Sequence, residues 1–331
     1  MARGAMAAPE PGPVLEPAPE PALAPAPEPA PGPEPVEPVS RPGRSSASIA
    51  SMLLLVDLDG VVYRGAQPVP GVAAVLAARA AAGDDVVYVT NNSMWYRADY
   101  VTRLSSMGAP VSPDRIVSSA RATALYLAEG SPRPECALVV GGPGLVHELR
   151  DVGIAVMPSA EAAERWTANG RDSAAATAGV DAVVVGLDLE FTYARLAVAA
   201  GAVRAGARFV ATNRDPIYPM EHGFMPGAGS VVAAIAIASG IEPVSIGKPA
   251  PLLLEIAAHS VGRPVTEAVM IGDSLITDVP AAIAVGARSI LMFTGISTPA
   301  QLAALPDGHC PTEVAADAEA LAAALERMAR G

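Results

Sequence analysis

Polar residues stand directly after four apolar runs of the sequence, at points where a buried strand would reach the surface. They are Asp57, Asp59, Thr90, Asn91, Lys248, Asp273 and Asp278. In an open parallel sheet, ligands collect at the carboxyl ends of the strands, so these side chains are candidates for one site. A carboxylate there can attack phosphorus and form an aspartyl phosphate, which water then hydrolyses. Because carboxylate and phosphate repel each other, such a site needs a divalent cation, and Mg²⁺ suits oxygen ligands.

The chemistry of phosphoryl transfer suggests a role for each residue type. Asp57 is the candidate nucleophile, and Asp57 and Asp273 are candidate carboxylate ligands of Mg²⁺. Asp59 lies two residues further on, so its side chain can protonate the leaving oxygen and later activate water, while its backbone carbonyl offers the metal a third oxygen. Lys248, the Thr90 hydroxyl and the Asn91 N–H can compensate charge on the phosphate oxygens.

The spacing of apolar residues predicts the elements that position these side chains. Short apolar runs alternate with helix-compatible segments, which predicts an α/β fold with a parallel sheet covered by helices. Strands are predicted at 52–56, 85–89, 137–141, 181–186, 208–211, 244–246, 268–271 and 289–292. Helices are predicted at 72–82, 96–107, 192–205, 229–240, 250–261 and 278–285.

Composition excludes several classes of protein and partner. The formal net charge of −12 argues against nucleic acid or an anionic membrane as a partner. The two cysteines, Cys136 and Cys310, have no metal-ligand spacing and predict neither a zinc site nor a disulfide framework. No run is long enough to span a membrane, and the first residues do not resemble a signal peptide. We therefore expect a cytoplasmic protein.

Residues 1–48 differ in composition from the rest of the chain. Pro, Ala and Glu recur there with almost no large apolar side chains. Such a segment buries too little surface to offset the entropy lost on ordering, so a disordered, polyproline-like tail is predicted. A docking arm for a Pro-recognising partner and a translation start at Met52 are the alternatives that the composition leaves open.

Four motifs, in this order, resemble those of the haloacid dehalogenase (HAD) superfamily of hydrolases. They are Asp57-Leu58-Asp59-Gly60-Val61, Thr90-Asn91-Asn92-Ser93, Gly247-Lys248-Pro249 and Gly272-Asp273-Ser274 with Thr277-Asp278. Three longer stretches are similar to the class IIA branch, the NagD-like and p-nitrophenylphosphatase-like phosphatases. They are Ala211-Thr212-Asn213-Arg214-Asp215-Pro216, Pro226-Gly227-Ala228-Gly229-Ser230 and Ile246-Gly247-Lys248-Pro249-Ala250-Pro251. The resemblance covers residues 51–305.

This resemblance implies a role for each motif residue. It implies Asp57 as nucleophile, Asp59 as acid/base, and Thr90, Asn91, Asn92 and Lys248 as phosphate-binding residues. It implies a metal site at Asp57, Asp59, Asp273 and Asp278, with Asp278 supporting the metal or Lys248. One departure is the pair Trp95 and Tyr96, which stands where we expect a more polar helix start.

The resemblance also implies a Rossmann-like core with an inserted α/β cap. The core is expected at 49–111 and 223–331 and the substrate-selecting cap at 112–222, with Tyr218 as its candidate substrate contact. We interpret Gly227 to Ser230 as the return from cap to core, where glycines permit close packing. The cap is the surface through which we expect any homodimer to form.

The resulting prediction is a Mg²⁺-dependent phosphatase of small phosphomonoesters. Family likeness suggests a sugar phosphate, glycerol phosphate, phosphoglycolate or an aryl phosphate as substrate, and a cap of this size should exclude phosphoproteins and folded nucleic acids. Two alternatives stay open. One is a phosphotransferase or mutase of the same superfamily, and the other is a non-catalytic sensor of phosphorylated ligands or a scaffold.

Overall fold

The structure is a computed structural model that describes residues 51–219 and 223–330 of the 331-residue chain. The predicted tail, residues 1–48, lies outside the described residues, as do the last residues of the predicted cap, 220–222. The strands are β1 (Leu53–Val56), β2 (Tyr63–Arg64), β3 (Gln67–Pro68), β4 (Asp85–Thr90), β5 (Ile116–Ser118), β6 (Cys136–Val140), β7 (Ala155–Pro158), β8 (Ala182–Val185), β9 (Arg208–Ala211), β10 (Ile217–Pro219), β11 (Phe224–Pro226), β12 (Val244–Ser245), β13 (Ala268–Gly272), β14 (Arg288–Met292) and β15 (Glu313–Ala315).

Helices connect most of these strands. They are α1 (Val72–Ala81), α2 (Arg97–Ser106), α3 (Ser119–Glu129), α4 (Pro143–Asp151), α5 (Ser159–Ala168), α6 (Ser173–Ala176), α7 (Tyr193–Arg204), α8 (Ala228–Ser239), α9 (Leu252–Ser260), α10 (Asp278–Ala284), α11 (Pro299–Ala303) and α12 (Ala318–Arg330). Among the helices that the structure describes, none combines the length and hydropathy that crossing a bilayer requires.

The first sheet has the strand order β15-β14-β13-β1-β4-β5, and all of its pairs are parallel. Its central strand, β1, is apolar at every position because helices cover both faces of the sheet. Leu53 and Leu55 pack into one hydrophobic cluster, and Leu54 and Val56 pack into another on the opposite face. The continuous apolar run that predicted this strand is therefore explained by burial on both sides.

The second sheet, with the order β12-β9-β8-β6-β7, is also parallel and is packed in the same way. Leu138 and Val140 of β6 face a cluster of their own. Ala137 and Val139 face the cluster that contains Leu53 of the first sheet. The two sheets therefore share one hydrophobic core, and the predicted α/β class with parallel sheets is confirmed.

The strands of the second sheet do not match the range predicted for the cap, 112–222. Strand β5 lies within that range yet pairs with β4 of the first sheet. Strand β12 lies beyond it yet pairs with β9 of the second sheet. The ends of the second sheet therefore do not coincide with the predicted ends of the cap, and the division into core and cap stays a prediction.

Candidate active site

Asp57 follows the last residue of β1 and lies at the carboxyl edge of the first sheet. Its backbone N–H continues the ladder by donating to the Ile271 carbonyl at 2.8 Å. Its residue is only 8% exposed. The Lys248 ammonium donates to Asp57 Oδ1 at 2.7 Å, and Lys248 Nζ is also 2.7 Å from Asp278 Oδ1. Lys248 is the only lysine in the sequence, and it is 2% exposed.

The two carboxylate partners of Lys248 keep its amine protonated. Burial alone would lower the pKa of this amine, but attraction to Asp278 and Asp57 raises it above the usual range. Asp278, at the start of α10, also accepts hydrogen bonds at Oδ2 from the backbone N–H groups of Asp273 and Ser274, each at 3.0 Å. Asp278 therefore positions both Lys248 and the loop that carries Asp273.

Asp273 follows β13, and its carboxylate lies against backbone. Its Oδ2 accepts a hydrogen bond from the Ile296 N–H at 2.7 Å. A Cβ atom on Gly60 or on Gly295 would overlap this carboxylate. Gly60 also has a φ of 83°, a left-handed conformation that turns the chain away after Asp59. Both positions therefore require glycine if Asp273 is to reach the site.

The carboxylates of Asp57, Asp273 and Asp278 converge, with one oxygen of each lying within 4.8 Å of the others. Burial, followed by repulsion from Asp278, raises the pKa of Asp273 to about 6. Burial also raises the pKa of Asp57, repulsion from Asp278 and Asp273 adds to this, and Lys248 opposes it. One ammonium cannot balance three carboxylates, and an all-oxygen ligand set of surplus negative charge fits a hard cation such as Mg²⁺.

Asp59 lies beside this cluster, and its side chain reaches solvent. The surrounding protein nevertheless excludes enough water to raise its pKa, while the charges of Arg103 and Lys248 lower it. A raised pKa favours the protonated form that a general acid needs. Its predicted metal contact through the backbone carbonyl stays a prediction.

Thr90 and Asn91 stand at the end of β4, on the adjacent strand. Thr90 is buried, and its Oγ1 accepts a hydrogen bond from the Asn92 N–H at 3.2 Å. The Asn91 amide donates to the Lys248 carbonyl at 2.8 Å, which joins the two predicted phosphate-binding segments. Asn92 Oδ1 accepts from the Met94 N–H at 2.9 Å, so this side chain shapes the loop. The predicted phosphate contacts of all three residues stay predictions.

Tyr218 lies on β10, which forms an antiparallel hairpin with β11. Burial, then the charge of Asp59, raises the pKa of Tyr63, and Tyr218 contributes to the same repulsion. Burial also raises the pKa of Tyr100, again with contributions from Asp59 and Tyr218. The predicted substrate contact of Tyr218 stays a prediction.

Sequence reasoning missed a cation in these surroundings. The Arg103 guanidinium stacks on the Tyr63 ring, 3.6 Å from its centroid, and lies 5.6 Å from the centroid of the Trp95 ring. In the sequence, Trp95 stands out only as a departure from a polar helix start. Asp99 supplies that polar start instead, because its carboxylate accepts from the Tyr96 N–H at 3.0 Å. No sequence pattern singles out Arg103, which lies on an ordinary amphipathic helix.

Glycines permit close packing near this site, in α4, after β8 and at the start of α8. The Gly144 N–H donates to the Met94 carbonyl at 3.1 Å. A Cβ on Gly186 would lie 2.7 Å from Ser93 Oγ. Gly227 and Gly229 likewise leave no room for a Cβ beside the Asp215 and Arg214 carbonyls, which confirms the close packing predicted for that motif.

Comparisons with known proteins show the family to which this chain is similar. A family model of haloacid dehalogenase-like hydrolases matches residues 54–155, and a second, HAD-hydrolase-like model matches residues 245–321. Acid sugar phosphatase of Staphylococcus epidermidis is 35% identical over 244 residues, 74% of this chain and 87% of that protein. The solved p-nitrophenyl phosphatase of Archaeoglobus fulgidus is 27% identical with a TM-score of 0.72, over 83% of this chain and 99% of its own. The solved glycerol phosphate phosphatase of Mycobacterium tuberculosis, in complex with magnesium, is 33% identical with a TM-score of 0.70, over 84% of this chain and 78% of its own.

Proposed function

This chain belongs to the haloacid dehalogenase-like hydrolases, as a phosphatase of the class IIA, p-nitrophenylphosphatase-like branch, and on this premise we propose that it hydrolyses small phosphomonoesters with Mg²⁺ through an aspartyl phosphate on Asp57. The observation that carries the proposal is the convergence of Asp57, Asp273 and Asp278 around the single lysine. Asp57, Asp273 and the Asp59 carbonyl would hold the ion. When bound, Mg²⁺ would supply the positive charge that keeps Asp57 ionised and attracts a phosphate oxygen.

The residues of the chain divide the reaction into two displacements. The Asp57 carboxylate attacks phosphorus and the ester P–O bond breaks, while Asp59 gives its proton to the leaving oxygen. Asp59, now ionised, accepts a proton from water as the water oxygen attacks phosphorus. The bond to Asp57 then breaks, and free phosphate leaves with Asp57 restored. Lys248, with the Thr90 hydroxyl and the Asn91 N–H, compensates the charge on the phosphate oxygens throughout.

The proposed substrates are small esters such as a sugar phosphate, glycerol phosphate, phosphoglycolate or an aryl phosphate. The acid sugar phosphatase, glycerol phosphate phosphatase and p-nitrophenyl phosphatase relatives support this range. We further propose that the cap excludes phosphoproteins. A panel of phosphomonoesters ranked by kcat/KM, with a phosphoprotein included, tests both points. Phosphate release from the phosphoprotein at the rate of a small ester would contradict the exclusion.

Turnover of p-nitrophenyl phosphate tests the reaction itself. We expect activity with Mg²⁺, its loss in EDTA and its loss in Asp57→Asn. Asp114→Asn is the matched control. Asp114 is an exposed acid outside the carboxylate cluster, so this variant should keep full activity. Full activity of Asp57→Asn would remove the covalent mechanism. A phosphorylated sugar as product, in place of free phosphate, would favour a mutase.

Association of two chains through the cap is a separate proposal. Sedimentation equilibrium tests it directly. A monomer at micromolar concentration would contradict it without affecting the proposed reaction.

A further inference from the structure

Asn91 is held by hydrogen bonds on both its backbone and its side chain. Its carbonyl accepts from the Ser119 hydroxyl at 2.6 Å and from the Asn213 amide at 2.7 Å. Its side-chain nitrogen, Nδ2, donates to the Lys248 carbonyl at 2.8 Å and to the two carboxylate oxygens of Asp215 at 3.1 and 3.0 Å. These partners fix the position of the Asn91 residue, and with it the place of the backbone N–H proposed to face phosphate.

The partner of the Asp215 carboxylate is the neutral amide of Asn91. It is partly buried, and among the ion pairs of residues 51–219 and 223–330 none involves it. Burial raises its pKa, while the Asn91 hydrogen bond and the charge of Lys248 oppose the rise. Even partial burial of a carboxylate without a paired cation costs stability. Stability of the fold is therefore a poor explanation for a charge at this position.

Asp215 also fixes the base of the β10–β11 hairpin. Its backbone N–H donates to Asn213 Oδ1 at 3.1 Å. Its carbonyl accepts from the Gly229 N–H at 2.9 Å, in the first turn of α8. Tyr218 lies three residues further along, on β10. The Asn91 amide thus bridges the Lys248 peptide and the segment from which the hairpin emerges.

We propose that Asp215 is a positioning residue that joins the β10–β11 hairpin, and with it Tyr218, to the phosphate-binding Asn91 and Lys248. The proposal rests on the proposed function and deepens it, because it makes the placement of the hairpin set the geometry of the phosphate site. Lys248 still attracts the bound ester when Asp215 is lost, but the donors are misaligned for phosphoryl transfer. We therefore expect a loss in kcat with little change in KM.

Two substitutions at one position separate hydrogen bonding from bulk. Asp215→Ala removes the acceptor, and kcat for p-nitrophenyl phosphate should fall about 10- to 100-fold, as for other small misplacements of catalytic groups. Asp215→Asn keeps one acceptor oxygen, and kcat should stay within about threefold of wild type. KM should change by less than about twofold in either variant.

Asp188→Asn is the matched control. Asp188 follows β8 of the second sheet. Its side chain is 6% exposed and pairs with Arg195 at 2.9 Å. This variant loses a partly buried carboxylate without touching Asn91. Its melting temperature should fall, but its kcat should match wild type. A loss of kcat in Asp188→Asn equal to that in Asp215→Ala would reduce the effect to general loosening and overturn the proposal.

Vanadate provides a measurement that does not need turnover, because it mimics pentacoordinate phosphorus. Its dissociation constant, measured by calorimetry with Mg²⁺, should weaken in Asp215→Ala by the same factor as kcat/KM falls. Wild-type vanadate affinity and kcat in Asp215→Ala would overturn the proposal, as would an Asp215→Asn variant as impaired as Asp215→Ala. An inactive wild-type enzyme would instead contradict the proposed function.

A double-mutant cycle tests the link to the hairpin. Tyr218→Ala should reduce kcat/KM in the wild-type background. In the Asp215→Ala background, the same change should cost at least about threefold less, because the hairpin is already uncoupled from Asn91. Effects that multiply independently would overturn the coupling.

Discussion

The two parallel sheets are built alike but differ in what stands at the carboxyl ends of their strands. In the first sheet, Asp57 follows β1 and Asp273 follows β13. In the second, Gly141 follows β6 and Gly186 follows β8. In open α/β sheets, ligands bind at the carboxyl ends of the strands, so either sheet could bind a ligand at these residues. Here the first sheet carries carboxylates at these ends (the carboxylate edge, Asp57 and Asp273), whereas glycines stand at the ends of two strands of the second sheet and just after them (the glycine edge, Gly141, Gly144 and Gly186).

The glycine edge explains how the two sheets complete one site. Because Gly144 and Gly186 have no side chain, the second sheet can approach the loop that contains Ser93 and Met94. Lys248, which follows β12 of the second sheet, then reaches Asp57 of the first. The carboxylates and their counter-charge therefore come from different sheets, and the site exists only where the two edges meet.

Removing the charge that the second sheet contributes should have the largest effect. In Lys248→Met, kcat should fall about 10²- to 10³-fold with Mg²⁺ present, since the phosphate loses a preorganised donor. Steady-state turnover of p-nitrophenyl phosphate measures this. Arg195→Met removes a partly buried cation on α7, the helix that follows β8, and should leave kcat unchanged. An equal loss in both variants would show that the position of Lys248 is not special.

Crowding the carboxylate edge should have the next largest effect. A Cβ on Gly295 would overlap Asp273 Oδ2, so Gly295→Ala displaces a proposed metal ligand. The Mg²⁺ concentration that gives half-maximal activity should rise about 10- to 100-fold. Gly308→Ala is the control, because among the described residues only its chain neighbours lie within 4 Å of its Cβ position, although its φ of 83° adds strain. Unchanged Mg²⁺ dependence in Gly295→Ala would contradict the placement of Asp273.

Adding one methyl group to the glycine edge should have a smaller effect. In Gly186→Ala the Cβ would lie 2.7 Å from Ser93 Oγ and 3.2 Å from Thr212 Oγ1. Overpacking of this kind costs about 1–3 kcal/mol of stability, and kcat should also fall severalfold as the sheets separate. Gly201→Ala overlaps Ser173 far from the site, so it should lower the melting temperature but not kcat. A Gly186→Ala enzyme with wild-type kcat would show that the close approach is dispensable.

The smallest expected effect concerns the stability of the metal-free protein. Burial and Asp278 raise the pKa of Asp273 to about 6 in the folded state. The folded state therefore binds more protons than the unfolded state between about pH 4 and 6, and the free energy of unfolding falls as pH rises through that window. In EDTA, Asp273→Asn should melt roughly 2–5 °C above wild type at pH 7, with the difference vanishing near pH 4. A constant difference across this range would contradict the raised pKa.

The charged residues of the site were predictable from the sequence, whereas the glycine edge was not. Asp57, Lys248 and Asp273 each follow an apolar run, and burial on both faces makes such runs easy to recognise as strands. The close approach at Gly144 and Gly186 depends on which residues lie opposite, which no local pattern encodes. Short strands such as β5 and β7 were missed for a related reason, because three or four residues carry too little periodicity.

The contacts of Asp215 show the same limit. Its stretch of sequence was recognisable, but its partner Asn91 lies 124 residues away in the chain. Arg103, which stacks on Tyr63, likewise looks like an ordinary helix-surface residue until the fold places it beside Asp59. Pairings of this kind arise from tertiary packing, so they become visible only in the structure.

Trapping the intermediate tests the central claim most directly. Enzyme mixed with substrate and Mg²⁺ is quenched in acid, reduced with borohydride, digested and analysed by mass spectrometry. Because borohydride reduces an aspartyl phosphate to homoserine, we predict homoserine at position 57, dependent on substrate and absent from every other aspartate in the recovered peptides. Turnover at full rate without homoserine at position 57, or with homoserine at another aspartate, would contradict Asp57 as the nucleophile.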